Sequence, residues 1–153
     1  MMVKRRSYKS FNFVEEFLNI IKNKISAFFI TADSKSKTPV QQMDAKKIPV
    51  TGKLNFFISF YNLTEEKNIF IKIRIRTPDK AYSSKAKLDD LKRKLQHITE
   101  MHFTLNSALF KTAGDISAKI TLFEKDELTS KETILDFSHT YCRFLGRAKN
   151  HEQ

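Results

Sequence analysis

The sequence predicts a mainly β protein, an antiparallel β-sandwich with an N-terminal helix and one inserted helix. Residues 69–76 read Ile-Phe-Ile-Lys-Ile-Arg-Ile-Arg, so isoleucine recurs at every second position opposite Phe70, Lys72, Arg74 and Arg76. Period two is the repeat of a strand, and β-branching suits a pleated surface. Leu54, Phe56, Ile58 and Phe60 alternate in the same way with Asn55, Phe57, Ser59 and Tyr61. Further runs of this kind are joined by short polar turns, the pattern of a sandwich.

The elements follow in order. Residues 1–10 form a polar, basic arm carrying Lys4, Arg5 and Arg6. From Ser10 to Lys24, apolar residues Phe11, Val14, Phe17, Leu18 and Ile21 recur at spacings of three and four, the repeat of one helix face. Ser10 with Glu15 and Glu16 supplies an N-terminal signal, because a hydroxyl cap and early carboxylates suit the positive helix end. That amphipathic face can close the core, lie on an anionic membrane or dock on a partner groove.

Ile25 to Ala32 reads as a buried strand. Asp33 to Lys53, with Pro39, Pro49 and Gly52, reads as a long connection with a short edge strand near Ile48–Val50. The strands 54–61 and 69–75, separated by polar Asn62–Asn68, are expected to pair antiparallel. Thr77-Pro78-Asp79 stops the second. Over 85–98, Leu88, Leu91, Leu95 and Ile98 fall on one stripe, with Lys85, Lys87, Lys92, Arg93 and Lys94 elsewhere, which predicts the inserted helix. Strand pattern returns over His102–Phe110, over Ile116–Leu122 after a turn at 111–115, and over Thr133–Tyr141 after a turn at 124–131. The expected organisation is a basic arm and amphipathic helix (1–24), a sandwich (25–142) and a polar tail (143–153).

A chain of 153 residues, 41% hydrophobic and with 14 Phe, has enough apolar surface to offset the entropy of ordering. A domain of this size buries roughly 68–70% of its unfolded surface. Cys142 is the single cysteine, so no internal disulfide forms and a cytoplasmic setting is expected. The run Phe11–Ile30 is broken by Glu15, Glu16, Lys22 and Lys24, so no transmembrane segment is expected.

The formal net charge is +11. Residues 1–53 carry 11 Lys/Arg against 4 Asp/Glu, residues 54–100 carry 10 against 6, and residues 101–153 carry 7 of each. The excess therefore lies in the first two-thirds. Such asymmetry points to an anionic partner, although the same charge serves solubility, and lysine, the weaker phosphate fork, outnumbers arginine.

Phe28-Phe29-Ile30-Thr31-Ala32-Asp33, the strands through Ile75, Thr77-Pro78-Asp79 and Ala113-Gly114-Asp115 leading into Ile116–Phe123 carry a resemblance. Over about three-quarters of the chain, the sequence resembles small immunoglobulin-like β-sandwich proteins of unknown function from bacteria and their mobile elements. The resemblance implies an immunoglobulin-like sandwich with an accessory or binding role and brings no active site. The Cys…Trp…Cys signature of antibody domains is absent.

Catalytic chemistry finds little to stand on. With 3 Gly, the chain has neither G-x-G-x-x-G nor a P-loop, so no backbone cradle for phosphate is available. His97, His102, His139 and His151 lack finger-like partner spacing, and no metal or cofactor is implied. A Cys142–His139 dyad is conceivable beside Arg143, but a buried core cysteine or an exposed unreactive one is the plainer reading. Glu15/Glu16, Glu65/Glu66, Asp89/Asp90 and Asp126/Glu127 are sequence neighbours whose side chains diverge.

The basic row is the remaining feature. Lys72, Arg74 and Arg76 lie on one strand face, ~6–7 Å apart per step, with Phe70 at its start and Phe57 and Tyr61 expected on a neighbouring strand. The leading reading is a non-enzymatic binding or accessory protein that engages an acidic partner, an acidic protein surface or a nucleic acid phosphate backbone, through Lys72, Arg74, Arg76 and Phe70, with Lys4, Arg5 and Arg6 as a mobile arm. The alternative is a single-stranded or non-specific nucleic-acid-binding protein, since cations beside aromatics can hold a phosphate backbone and stack bases. An open sheet also leaves edge pairing as a route to dimers.

Overall fold

The alternation in residues 69–76 is realised as a strand with Ile69, Ile71, Ile73 and Ile75 buried. In a computed structural model, residues 21–64, 68–88 and 98–148 are described. They form eight strands: β1 (Lys24–Thr31), β2 (Gln42–Ile48), β3 (Val50–Tyr61), β4 (Ile69–Arg76), β5 (Ala81–Lys87), β6 (Ile98–Phe110), β7 (Gly114–Lys125) and β8 (Glu132–Ala148). The protein is mainly β, in two sheets: β1-β3-β6, and β2-β8-β7-β4-β5.

One core lies between the sheets. Phe28, Ile30, Leu54, Phe56, Ile58 and Phe60 from the three-stranded sheet meet Ile69, Ile71, Ile73, Ile75, Ile116, Ile120, Leu122 and Phe144 from the five-stranded one. Full burial of such a side chain stabilises by about 1.5–3 kcal/mol, which is why the alternation dictates which side of each strand turns inward. The sheets also touch along one flank, where the Ile25 amide donates to the Asp136 carboxylate at 2.8 Å.

Several expectations are corrected. β3 and β4 do not pair; β3 lies between β1 and β6, and β4 between β7 and β5. Both strands carry fully apolar inward faces, and these enter one core from different sheets instead of lying side by side in one sheet. The chain leaves β3 through Asn62, whose φ of 51° is in the left-handed region that Asn tolerates. The sandwich is not wholly antiparallel, because β2 pairs parallel with β8. β2 itself lies in the segment expected to be a connection, where half-buried Met43 and Ala45 alternate with exposed Gln42 and Asp44.

The inserted helix expected over 85–98 is contradicted at both ends. Lys85–Lys87 belong to β5, hydrogen-bonded to β4, and Ile98 opens β6; residues 89–97 lie outside the described residues. The N-terminal helix and basic arm likewise lie outside them up to residue 20. At the expected end of that helix, Asn23 has a φ of 53° and Lys24 already starts β1. The polar tail expected from 143 is strand as far as Ala148, held by β2: Gln42 pairs Arg143 and Ala45 pairs Gly146.

Candidate binding face

The five-stranded sheet turns the isoleucines of β4 and β7 inward and its other side away from the core. Register sets the outward residues in rows across the strands. One row holds Ser83, Arg74, Lys119 and His139; the next holds Ala81, Arg76, Ser117 and Tyr141. Neighbouring strands are ~4.8 Å apart and alternate residues ~6–7 Å apart, so these rows make one compact patch. The small side chains of Ala81, Ser83 and Ser117 leave a half-open groove of about 560 Å³, flanked by Arg74 and Arg76 on one side and His139 and Tyr141 on the other.

The acids of this sheet are engaged at its rims. Glu132 accepts from Lys85 at 2.8 Å, and Asp115 meets Arg143 at 3.4 Å. The Lys85 hydrogen bond holds the Glu132 carboxyl below its usual range, assisted by the charges of Lys85, Lys125 and Lys72. Among the described residues, Arg74, Arg76 and Lys119 take part in no ion pair. Arg74 and Arg76 are exposed and Lys72 half-buried.

β8 borders the groove with a line of rings. Phe137 is 55% and Tyr141 67% exposed, with exposed His139 between them. Phe137 meets His139 edge-on at 5.8 Å, and His139 and Tyr141 are nearly parallel, 10° apart in plane with centroids 6.4 Å apart. The Lys119 ammonium stands 4.9 Å from the Phe137 ring centre, within cation–π range.

The structure thus brings Lys72, Arg74 and Arg76 together on one outward face, as expected. Phe70 begins the same face but is closed off. It stacks on buried Phe123 at 5.5 Å, and the Lys85 and Lys87 ammoniums stand over its ring at 5.9 Å. Phe57 and Tyr61 belong to the other sheet and take no part. Lys4, Arg5 and Arg6 lie outside the described residues.

Lys119, Phe137, His139 and Tyr141 were not legible as site residues. β8 shows a clear alternation, but Phe137, His139 and Tyr141 point outward while Thr140, Cys142 and Phe144 face in. Inward burial is the default assignment for rings, so the signal misleads. An exposed run of large apolar side chains is the informative exception.

The other chemical candidates do not converge. Cys142 is buried, its thiol pushed up by burial, and it faces the core while His139 faces out; alternating strand geometry forbids their contact. His102 lies on the outer side of the three-stranded sheet, its Nε2 at 3.0 Å from the Ser36 carbonyl, against Phe57. His97 lies outside the described residues. Among the described residues, no group of three or more His, Cys, Asp or Glu could hold a metal ion.

Fold and face together define a two-sheet β protein with an open sheet surface bearing cations and rings. No family model and no curated protein matches the chain. Among solved structures it is similar to the crystal structure of the C-terminal domain of wzt, with a TM-score of 0.52 and 16% identity over 80% of this chain and 72% of that one. The likeness is one of fold. Among the described residues, no helix is long and apolar enough to cross a membrane.

Proposed function

We propose that this chain is a non-enzymatic binding protein, an accessory component that engages an acidic partner through the outer face of its five-stranded sheet. The observation that carries this reading is the set Arg74, Arg76 and Lys119, clustered around one groove and joined by no ion pair among the described residues, while the nearby acids are taken up at the rims. Like charges held together on a rigid sheet repel one another. An incoming anion relieves that repulsion and is steered by the summed field.

The non-enzymatic part rests on the separation of Cys142, His139 and His102 onto different faces. An immunoglobulin-like character for the sandwich and a cytoplasmic setting belong to the same proposal. They draw support from the single core between the two sheets and from the lone buried cysteine.

The test is titration of the full chain with base-free polyanions, polyglutamate and polyphosphate, at low and high salt. Binding that weakens steeply with salt, and weakens at least about tenfold in Arg74→Glu/Arg76→Glu, is expected. Undiminished binding by that double variant, or no binding of any polyanion, overturns the reading.

A further inference from the structure

We infer that the acidic partner of this face is a single-stranded nucleic acid, its phosphates on the β4 cations and its bases on the β8 rings; this rests on the reading above. The face carries two parallel lines. Lys72, Arg74 and Arg76 follow β4, and Phe137, His139 and Tyr141 follow β8, with β7 between them. Both lines advance by the same strand step of ~6–7 Å, and they run ~10 Å apart. Lys119 of β7 lies in that gap, and Arg74 and Arg76 line the groove with it.

An extended single strand presents the complement of this pattern. Each nucleotide contributes one phosphate to a line of negative charge and one planar base to a parallel line of π-faces. Stacking on protein rings tolerates any base, because every base has a π-face. His139 and Tyr141 are only 10° from parallel, so a base lying flat on one lies parallel to the other.

The ring line separates this ligand from its rivals. A duplex offers phosphates but hides its base faces within the stack. An acidic polypeptide offers carboxylates with no line of planar rings beside them. Phe137 at 55% and Tyr141 at 67% exposure leave large apolar area in water, an arrangement that marks an interaction surface on a soluble domain.

The experiment measures affinity of the full chain for a fluorescent single strand of about ten nucleotides, an abasic strand of the same length, the duplex, and polyglutamate. The variants are Phe137→Leu, Tyr141→Leu and Arg74→Glu/Arg76→Glu. Leucine keeps apolar bulk without a π-face, and these positions lie outside the core; thermal melts recorded alongside are expected to stay cooperative and within about 4 °C of the parent, the scale of one lost ring contact.

The expected result is binding of the base-bearing strand at least about tenfold tighter than the abasic strand. Each leucine variant is expected to lose roughly 5- to 100-fold on the base-bearing strand and nothing on the abasic one. Equal affinity for the two strands, ring variants without effect, or tighter binding of polyglutamate or duplex overturns the inference. In those cases an intact loss in Arg74→Glu/Arg76→Glu leaves the acidic-partner reading standing. No binding to any of the four overturns both.

Discussion

The ammonium of Lys119 stands 4.9 Å from the centre of the Phe137 ring, and this contact joins the cationic half of the open sheet face to its aromatic half. Lys119 lies between Arg74 on one neighbouring strand and His139 on the other. With Arg74 repelling it from one side, the ring's negative face offers the ammonium a favourable seat.

This contact is expected to be measurable but small. At an exposed ring, cation–π attraction is worth about 0.5–1 kcal/mol. A double-mutant cycle of Lys119→Met and Phe137→Leu, read by urea unfolding, should give a coupling in that range. A coupling of zero would mean that the two side chains do not hold each other in solution.

Adjacent residues on β4 should respond in opposite ways. Ile73 is 1% exposed within the core cluster, whereas Arg74 is exposed. Ile73→Ala should destabilise by about 2–5 kcal/mol through lost burial and a residual cavity. Arg74→Ala should fall within about 0.5 kcal/mol of the parent. Equilibrium unfolding in urea compares the two directly.

Asp79 ties two turns together and gives stability an acid dependence. Its carboxylate accepts from the Lys111 amide at 2.6 Å, the Thr112 amide at 3.1 Å and the Thr112 hydroxyl at 2.8 Å. The Lys111 amide bond, followed by the Thr112 hydroxyl, holds its carboxyl below the ordinary value. A carboxyl depressed in the folded state binds its proton more readily when unfolded. Its contribution is therefore present above the unfolded value, near pH 4, and is lost as pH falls through the folded value. Asp79→Asn should lower the melting temperature at neutral pH and flatten its fall in acid. A parallel downward shift at all pH values would contradict this.

How much of this was legible beforehand differs by element. The isoleucine ladder of β4 announced its own two faces, because isoleucine takes every second position from Ile69 to Ile75 and the cations Lys72, Arg74 and Arg76 lie between and after them. Leu54–Phe60 was equally plain. Pairing was not, since alternation fixes which side of a strand is buried but not which strand lies beside it; β3 and β4 lie in different sheets instead of sharing a ladder. β2 was faint because only Met43, Ala45 and Ile48 of its side chains are half-buried, and its partner is distant in sequence. Lys72, Arg74 and Arg76 were found from one strand alone. Lys119, His139 and Tyr141 join them only through the β4–β7–β8 register, which local patterning does not contain.

Gly146 lets β2 dock against the end of β8. A Cβ at this position would collide with the Ile48 side chain and stand 3.0 Å from the Phe144 ring. Gly146→Ala should therefore cost about 1–3 kcal/mol by overpacking, with β2 loosened first. Hydrogen exchange should quicken at Met43–Ala45 before it does in β4. Unchanged protection there would show that Ile48 swings aside freely.

The placement of the docking surface is tested most directly by amide chemical-shift mapping of the full isotopically labelled chain during titration with a single-stranded oligonucleotide. Shifts should concentrate at Lys72–Arg76, Ser117–Thr121 and Phe137–Tyr141. Shifts confined to the outer side of the three-stranded sheet, around Asn55 and Thr104, or to the N-terminal arm at Lys4–Arg6, would contradict it.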